Sequence, residues 1–500
     1  MKIRLLIATV LCPLCSINAV AQVAADDAEW LVDPSGCKFL NPSDDSAPLP
    51  IQWDGKCVDG FVSGPGELKI EGRLPMVYRG DFAAGRIVRG SFQLPMVSYE
   101  GEFLDNAPHG RGTMKLPDGL VASGSFEKGH ATGQEFELKW PNDSHYRGGV
   151  GKHLAMEGTG TLTYSDGTTY EGEFRDGRLE GNGVLKYTAG EIRRGVFVDG
   201  KLQGKGSIHY SNGADYEGEL RAGQPDGQGR LTYANGGFYE GAFVGGLSQG
   251  KGKLQYGTGD VYEGDFLAGE PHGTGVFRSV IGDIYEGHFV SGKRHGQGRL
   301  TFSIGDVWEG EWKQGKLYGK CRKSSAQSVY DGECADDHAS GTGRFEDRVA
   351  GITYDGEFRY NTFEGEGYMR TPDLEYKGSF KQGLKDGAGK QTQADGTEYD
   401  GAFVRGFMQG RGVLRTKTPS GTETVYDGEF VQGQMEGTGT LRMGSVQVKG
   451  VFKGNVFNRG TITAEDGRKF ELDIDEGKVL EVLEGGLKRP LDQLPPDITI

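Results

Sequence analysis

The stretch Tyr170-Glu171-Gly172-Glu173-Phe174, followed by Asp176-Gly177 and then Gly181-Asn182-Gly183-Val184-Leu185-Lys186-Tyr187, decides the fold. Tyr170, Gly172 and Phe174 alternate with Glu171 and Glu173, the period of a β-strand. The two rings and the glycine therefore share one face, and the glutamates take the other. Asp176-Gly177 reads as a hairpin turn, because glycine tolerates positive φ. Past the turn, Gly181, Gly183, Leu185 and Tyr187 fall on one face of a second strand.

The same string recurs at Tyr216, Tyr239, Tyr262, Tyr285, Trp308, Tyr330, Tyr354, Tyr376, Tyr399 and Tyr426, mostly in steps of 23 residues. Weaker copies start at Trp53, Tyr78, Tyr99, Ala122, Tyr146, Arg193 and Val448. Eighteen copies result, and the third position is glycine in every one. The structural glycines include Gly172, Gly218, Gly241, Gly264, Gly287 and Gly310. Each copy is a β-hairpin joined to the next by a second tight turn, such as Asp166-Gly167 or Asn212-Gly213. Glycine is 87 of 500 residues. Helix is excluded at that frequency, since each glycine costs ~1 kcal/mol relative to alanine in a helix.

A ring on one strand needs room on its neighbour, and a bare glycine supplies it. Folding about the first turn places Phe174 near Gly181; folding about the next places Phe197 near Gly183. The packing face, which is also the expected partner surface, comprises Tyr170, Phe174, Tyr216, Tyr239, Phe243, Tyr262, Phe266, Tyr285, Phe289, Trp308 and Trp312.

These strings resemble MORN repeats, whose pattern is Tyr-Glu-Gly-x-Phe/Trp followed by Gly-x-x-x-Gly-x-Gly. His109-Gly110-Arg111-Gly112, His272-Gly273-Thr274-Gly275 and His295-Gly296-Gln297-Gly298 match that family's common His-Gly-x-Gly. The resemblance implies an all-β fold: an elongated, single-layer antiparallel sheet of tandem β-hairpin repeats, solenoid-like. Copies starting at Tyr78, Ala122, Tyr146, Arg193 and Val448 depart from the pattern, so bends or breaks are expected there.

Residues 1–21 read as a signal peptide. Lys2 and Arg4 begin it, Leu5 to Leu14 is apolar, and Ala19-Val20-Ala21 is a small-x-small cleavage site, with Val23-Ala24-Ala25 as a second candidate. The expected organisation is this leader, an N-terminal cap over 22–52, repeats over 53–469, and a C-terminal cap hairpin and tail over 470–500. The chain is then exported, to a periplasm or the outside. Four cysteines remain, Cys37, Cys57, Cys321 and Cys334. In an oxidising compartment they suggest two bridges with three connectivities. Spacing favours Cys37–Cys57 and Cys321–Cys334. Cys334 and Cys57 stand in phenylalanine slots, and Cys321 replaces the glycine expected to face Cys334. A cross-strand disulfide there substitutes for a ring–glycine contact.

Formal net charge is −15. That disfavours nucleic acid, which needs a basic footprint, and electrostatic attraction to anionic lipid. None of the nine histidines makes a His-x-x-x-His pair, and there is no Gly-Lys-Ser/Thr phosphate loop. Carboxylate pairs such as Glu171/Glu173 recur in most copies, as structural residues do. No enzyme, cofactor or metal site is expected; same-position carboxylates two strands apart are ~9.6 Å distant, too far to share one ion. Five tryptophans are too few for a repeated sugar-stacking cage. The favoured function is a non-enzymatic scaffold that binds a protein partner, or itself as a homodimer, along the sheet. Acidic columns including Glu240, Glu263, Glu286 and Glu309 would attract cations or a basic partner. Membrane lipid or envelope glycan is the alternative, the first because the family's name invokes membranes.

Overall fold

The computed structural model describes residues 30–42, 49–151, 153–419, 421–475 and 478–488. The leader read at 1–21 and the tail beyond 488 lie outside the described residues. Every described regular element is a β-strand. The chain divides into two compact units, Met1–Gln249 and Gly250–Ile500.

In the first unit, strand Thr169–Arg175 pairs antiparallel with Arg178–Lys186, with Tyr170 opposite Leu185 and Gly172 opposite Gly183. The turn between them holds Asp176 at φ 47° and Gly177 at φ 76°. Two successive positive φ values make a type I′ turn, whose twist matches the strands it joins. After Gly172 the register shifts, and Glu173 faces Glu180 while Phe174 faces Leu179. Gly181 and Asn182 form the resulting bulge, with Gly181 at φ 62°. Strand Arg178–Lys186 then pairs with Ile192–Val198, setting Gly181 opposite Phe197 and Gly183 opposite Gly195.

This corrects the expected register. Phe174 faces Leu179 rather than Gly181, and Phe197 faces Gly181 rather than Gly183. The physical reason is that each turn is centred one residue earlier than symmetry between the glycines suggests. A one-residue shift of a turn moves the pairing by two residues. Because side chains alternate with period two, every residue stays on its expected face.

Regularity fails around the copies starting at Ala122 and Tyr146. Strand Val121–Glu127 is met by both the short His130–Ala131 and Phe136–Lys139, and the register shifts again between Gly148 and Val150. The copy at Arg193, by contrast, pairs regularly on both sides. The N-terminal strands Trp30–Val32 and Lys38–Leu40 form a small hairpin. Trp30 packs edge-on against Phe61 at 5.0 Å, and Asn106 donates its amide to the Leu40 carbonyl at 2.6 Å.

The second unit repeats the plan. Val261–Leu267 pairs with Glu270–Arg278 (Gly264 opposite Gly275), and Glu270–Arg278 with Ile284–Val290 (Gly273 opposite Phe289). The copy at Val448 keeps its pairing on both sides.

Candidate functional site

The repeat is built around one tyrosine. The Tyr170 ring is fully buried and lies across Gly172 and Gly183. A Cβ on Gly172 would sit 2.6 Å from the Asn182 carbonyl and from the Gly183 Cα, and one on Gly183 would enter the ring. The Tyr170 hydroxyl donates to the Glu173 carbonyl at 3.1 Å, where the register shifts. The same i to i+3 bond is made by Tyr216 and Tyr239 in the first unit, and by Tyr262, Tyr354 and Tyr426 in the second. So the repeated residue is tyrosine rather than phenylalanine for a reason alternation cannot disclose: its hydroxyl reaches the backbone carbonyl at the bulge. Burial, followed by the nearby Glu173 carboxylate, pushes the Tyr170 phenol up to about 12.

Phenylalanines complete a ladder of edge-to-face contacts. Tyr170 meets Phe174 at 5.1 Å and Phe197 at 5.1 Å, and Tyr216 and Tyr239 both meet Phe243. In the second unit Tyr262 meets Phe266 and Phe289, and Tyr285 meets Phe289 and Trp312. Each such pair is worth ~0.5–1.5 kcal/mol beyond its buried area. These rings are the packing core of each unit, not an open surface.

Trp308 departs from the expectation. It is half-buried, lies outside the ladder, and packs instead on Phe302 at 5.1 Å. The cause is Cys321, whose Cβ takes the place of the glycine over which a ring would lie. Cys321 faces Gly332 and Cys334 faces Gly319, so the Cys321–Cys334 bridge runs diagonally, with its Cα atoms 5.9 Å apart. Cys37 and Cys57 form the other bridge, Cα atoms 5.7 Å apart. Replacing Cys321 and Cys334 together by alanine opens a short loop, and we expect a loss of about 3 kcal/mol, read as a lower urea midpoint under non-reducing conditions.

The polar face is occupied by its own bonds. Glu240 pairs with Arg230 at 3.1 Å, Glu263 with Lys253 at 2.8 Å, and Glu309 with Arg299 at 3.1 Å. These expected acidic attractors are thus largely neutralised across strands. Fourth-position carboxylates cap the bulge: Glu173 accepts from the Asn182 N–H at 3.0 Å, and Asp265 from Thr274 at 2.9 Å. The Lys251 ammonium, then the Thr274 N–H, hold Asp265 down at about 2. Eleventh-position side chains reach the next hairpin turn: Glu180 accepts from Asp199 N–H at 3.1 Å, and Asp386 from Arg405 at 3.1 Å.

The sequence reading took Tyr187 alone, as a residue of the second strand, and missed the row of turn tyrosines to which it belongs. Tyr164, Tyr187, Tyr210 and Tyr233 stand at the inter-repeat turns of the first unit, and Tyr187 and Tyr233 are 37% and 38% exposed. Their 23-residue spacing was the available signal. The string Gly246-Leu247-Ser248-Gln249-Gly250 spells a Gly-x-Ser-x-Gly pattern, but its serine lies within strand Leu247–Gln255, not on a strand-to-helix elbow.

A family model described as MORN repeat matches thirteen stretches between residues 99 and 445, among them 170–192, 216–238, 239–261, 262–284 and 285–307. The chain belongs to the MORN-repeat family. Alsin of Rattus norvegicus and alsin of Homo sapiens are each 33% identical to it over 130 residues. Those matches cover 24% of this chain and only 8% of alsin's length. A streptogramin B lyase structure aligns at 12% identity over 64% of this chain and 91% of its own, with a TM-score of 0.10. That likeness carries no argument. The MORN repeats are the tandem hairpins described above, and their Tyr, Gly and Phe positions form each unit's interior.

Proposed function

We propose that this MORN-repeat chain is a non-enzymatic, exported scaffold that holds a protein partner, or a second copy of itself, on its sheet surface. One observation in the second unit carries the reading. The turns joining Glu270–Arg278 to Ile284–Val290, and Lys293–Thr301 to Val307–Lys313, present Val280, Ile281 and Ile304, which are 67%, 69% and 81% exposed. Three equivalent turns of the first unit carry Ser165-Asp166, Thr188-Ala189 and Ser211-Asn212, while two others expose single residues, Leu74 and Met96. Successive turns with large bare aliphatic side chains are unfavourable in water and mark a contact surface. Two disulfides suit an oxidising compartment and support export. The net charge of −15 works against adhesion to anionic lipid.

Crosslinking of the native exported protein, with light scattering for mass, tests this. The wild type is expected to show a mass above monomer or one specific crosslinked protein, and Ile304→Asp to lose it. A monomer that crosslinks to nothing, or that is retained instead by liposomes or polysaccharide, would overturn the protein-scaffold reading.

A further inference from the structure

Four departures from the repeat converge at one place in the second unit. Position one is Trp308 instead of tyrosine, the facing glycine is Cys321, and the next ring slot is Cys334. The fourth is Lys323. Its slot holds an apolar residue in neighbouring copies, such as Leu254, Phe277, Leu300 and Phe345. Lys323 faces Trp308 across one strand pair and Tyr330 across the other, so it stands on the ring-bearing face.

In the same copy a cavity of about 340 Å³ is bounded by Trp308, Lys323, Tyr330, Phe345, Phe358 and Phe363. Its size falls within the ~300–1,000 Å³ of small-molecule sites. Ser324, Ser325, Ser328 and Asp306 also line it; the Ser325 hydroxyl bonds to Ser328 and accepts from the Gln327 N–H. The Lys323 ammonium lies 4.5 Å from the Trp308 ring centre and donates to the Asp337 carbonyl. Among the described residues it makes no ion pair with a carboxylate; the Asp337 carboxylate instead accepts from the Leu317 N–H at 2.7 Å. Burial lowers its pKa, as expected of an ammonium held among rings. A half-buried ammonium that makes no direct ion pair, with the Asp337 carboxylate acting on it only at longer range, is an arrangement that an anionic ligand beside the aromatic walls relieves further.

We propose that this cavity is a binding site for a small aromatic or aliphatic carboxylate, its apolar body against Trp308, Phe345 and Phe363 and its carboxylate on Lys323. Asp306, also lining the cavity, would disfavour a second negative charge on the ligand. The site neighbours the scaffold surface proposed above, Asp306 sharing a turn with Ile304, but it does not rest on that reading.

Calorimetric titration of the full, disulfide-intact chain with 2-naphthoate and with methyl 2-naphthoate tests it. Naphthoate is expected to bind saturably and more tightly than the ester. Lys323→Met should weaken naphthoate by roughly tenfold or more, leave the ester unaffected, and be rescued by Lys323→Arg. Asp306→Asn should tighten naphthoate by about threefold, a gain that misfolding cannot produce. No saturable binding to the wild type, equal binding of acid and ester, or one affinity across wild type, Lys323→Met and Asp306→Asn would overturn the proposal.

Discussion

Gly183→Val is expected to destabilise the first unit by about 4–5 kcal/mol, the largest effect of any single substitution considered. The valine side chain would occupy the space of the Tyr170 ring, so the ring must leave. Exposing a buried aromatic side chain costs ~1.5–3 kcal/mol. The ring also loses its two edge-to-face partners, Phe174 and Phe197, at ~0.5–1.5 kcal/mol each. The hydroxyl's bond to the Glu173 carbonyl adds ~1 kcal/mol. Gly151→Ala is the control, since a Cβ there meets nothing closer than 3.7 Å, and its effect should stay within about 0.5 kcal/mol. Because repeats contact only their neighbours, the damage should remain local. Hydrogen exchange would show faster exchange confined to the strands around Tyr170, and urea unfolding would give the magnitude. Equal stability of the two variants would mean that the ring does not rest on that glycine.

Alkali should unfold the protein cooperatively between about pH 10 and 12. Burial pushes the phenols of Tyr146, Tyr170, Tyr216, Tyr330, Tyr376 and Tyr399, among others, up to about 12. An unfolded tyrosine releases its proton near 10. The folded state therefore binds more protons in that window, and stability falls as pH rises. Below the unfolded value the contribution is fully present; above the folded value it is gone. The effect is large because the same buried phenol recurs in most repeats. Tyrosinate absorbance and loss of strand circular dichroism should rise together in one transition. Smooth titration of all phenols near pH 10 with the sheet intact would contradict the buried ladder.

The two expectations that moved, the pairing register and Trp308, moved for related reasons. Both depend on where a turn is centred and on which glycine a ring covers, and strand alternation is blind to a shift of two. Cys321 and Cys334 were recognisable as a pair even so, because a two-residue offset kept both on the ring-bearing face. The acidic residues were harder to read. Glu173 and Glu180 look like solvated strand residues in one dimension, yet one accepts from the bulge and the other from the next hairpin turn. Those acceptor roles exist only once the bulge and the tight turn of the next hairpin present their backbone N–H groups to them.

Periodicity was enough for the β-hairpin repeat, the division of faces and the pairing of late cysteines, because side-chain alternation and glycine's lack of a Cβ are local properties. Partner choice across strands was not local. Which carbonyl a tyrosine hydroxyl reaches, which carboxylates are already bonded, and why Lys323 shares a cavity with Trp308 all follow from the cross-strand register and the bulge that shifts it, which act through space between residues apart along the chain.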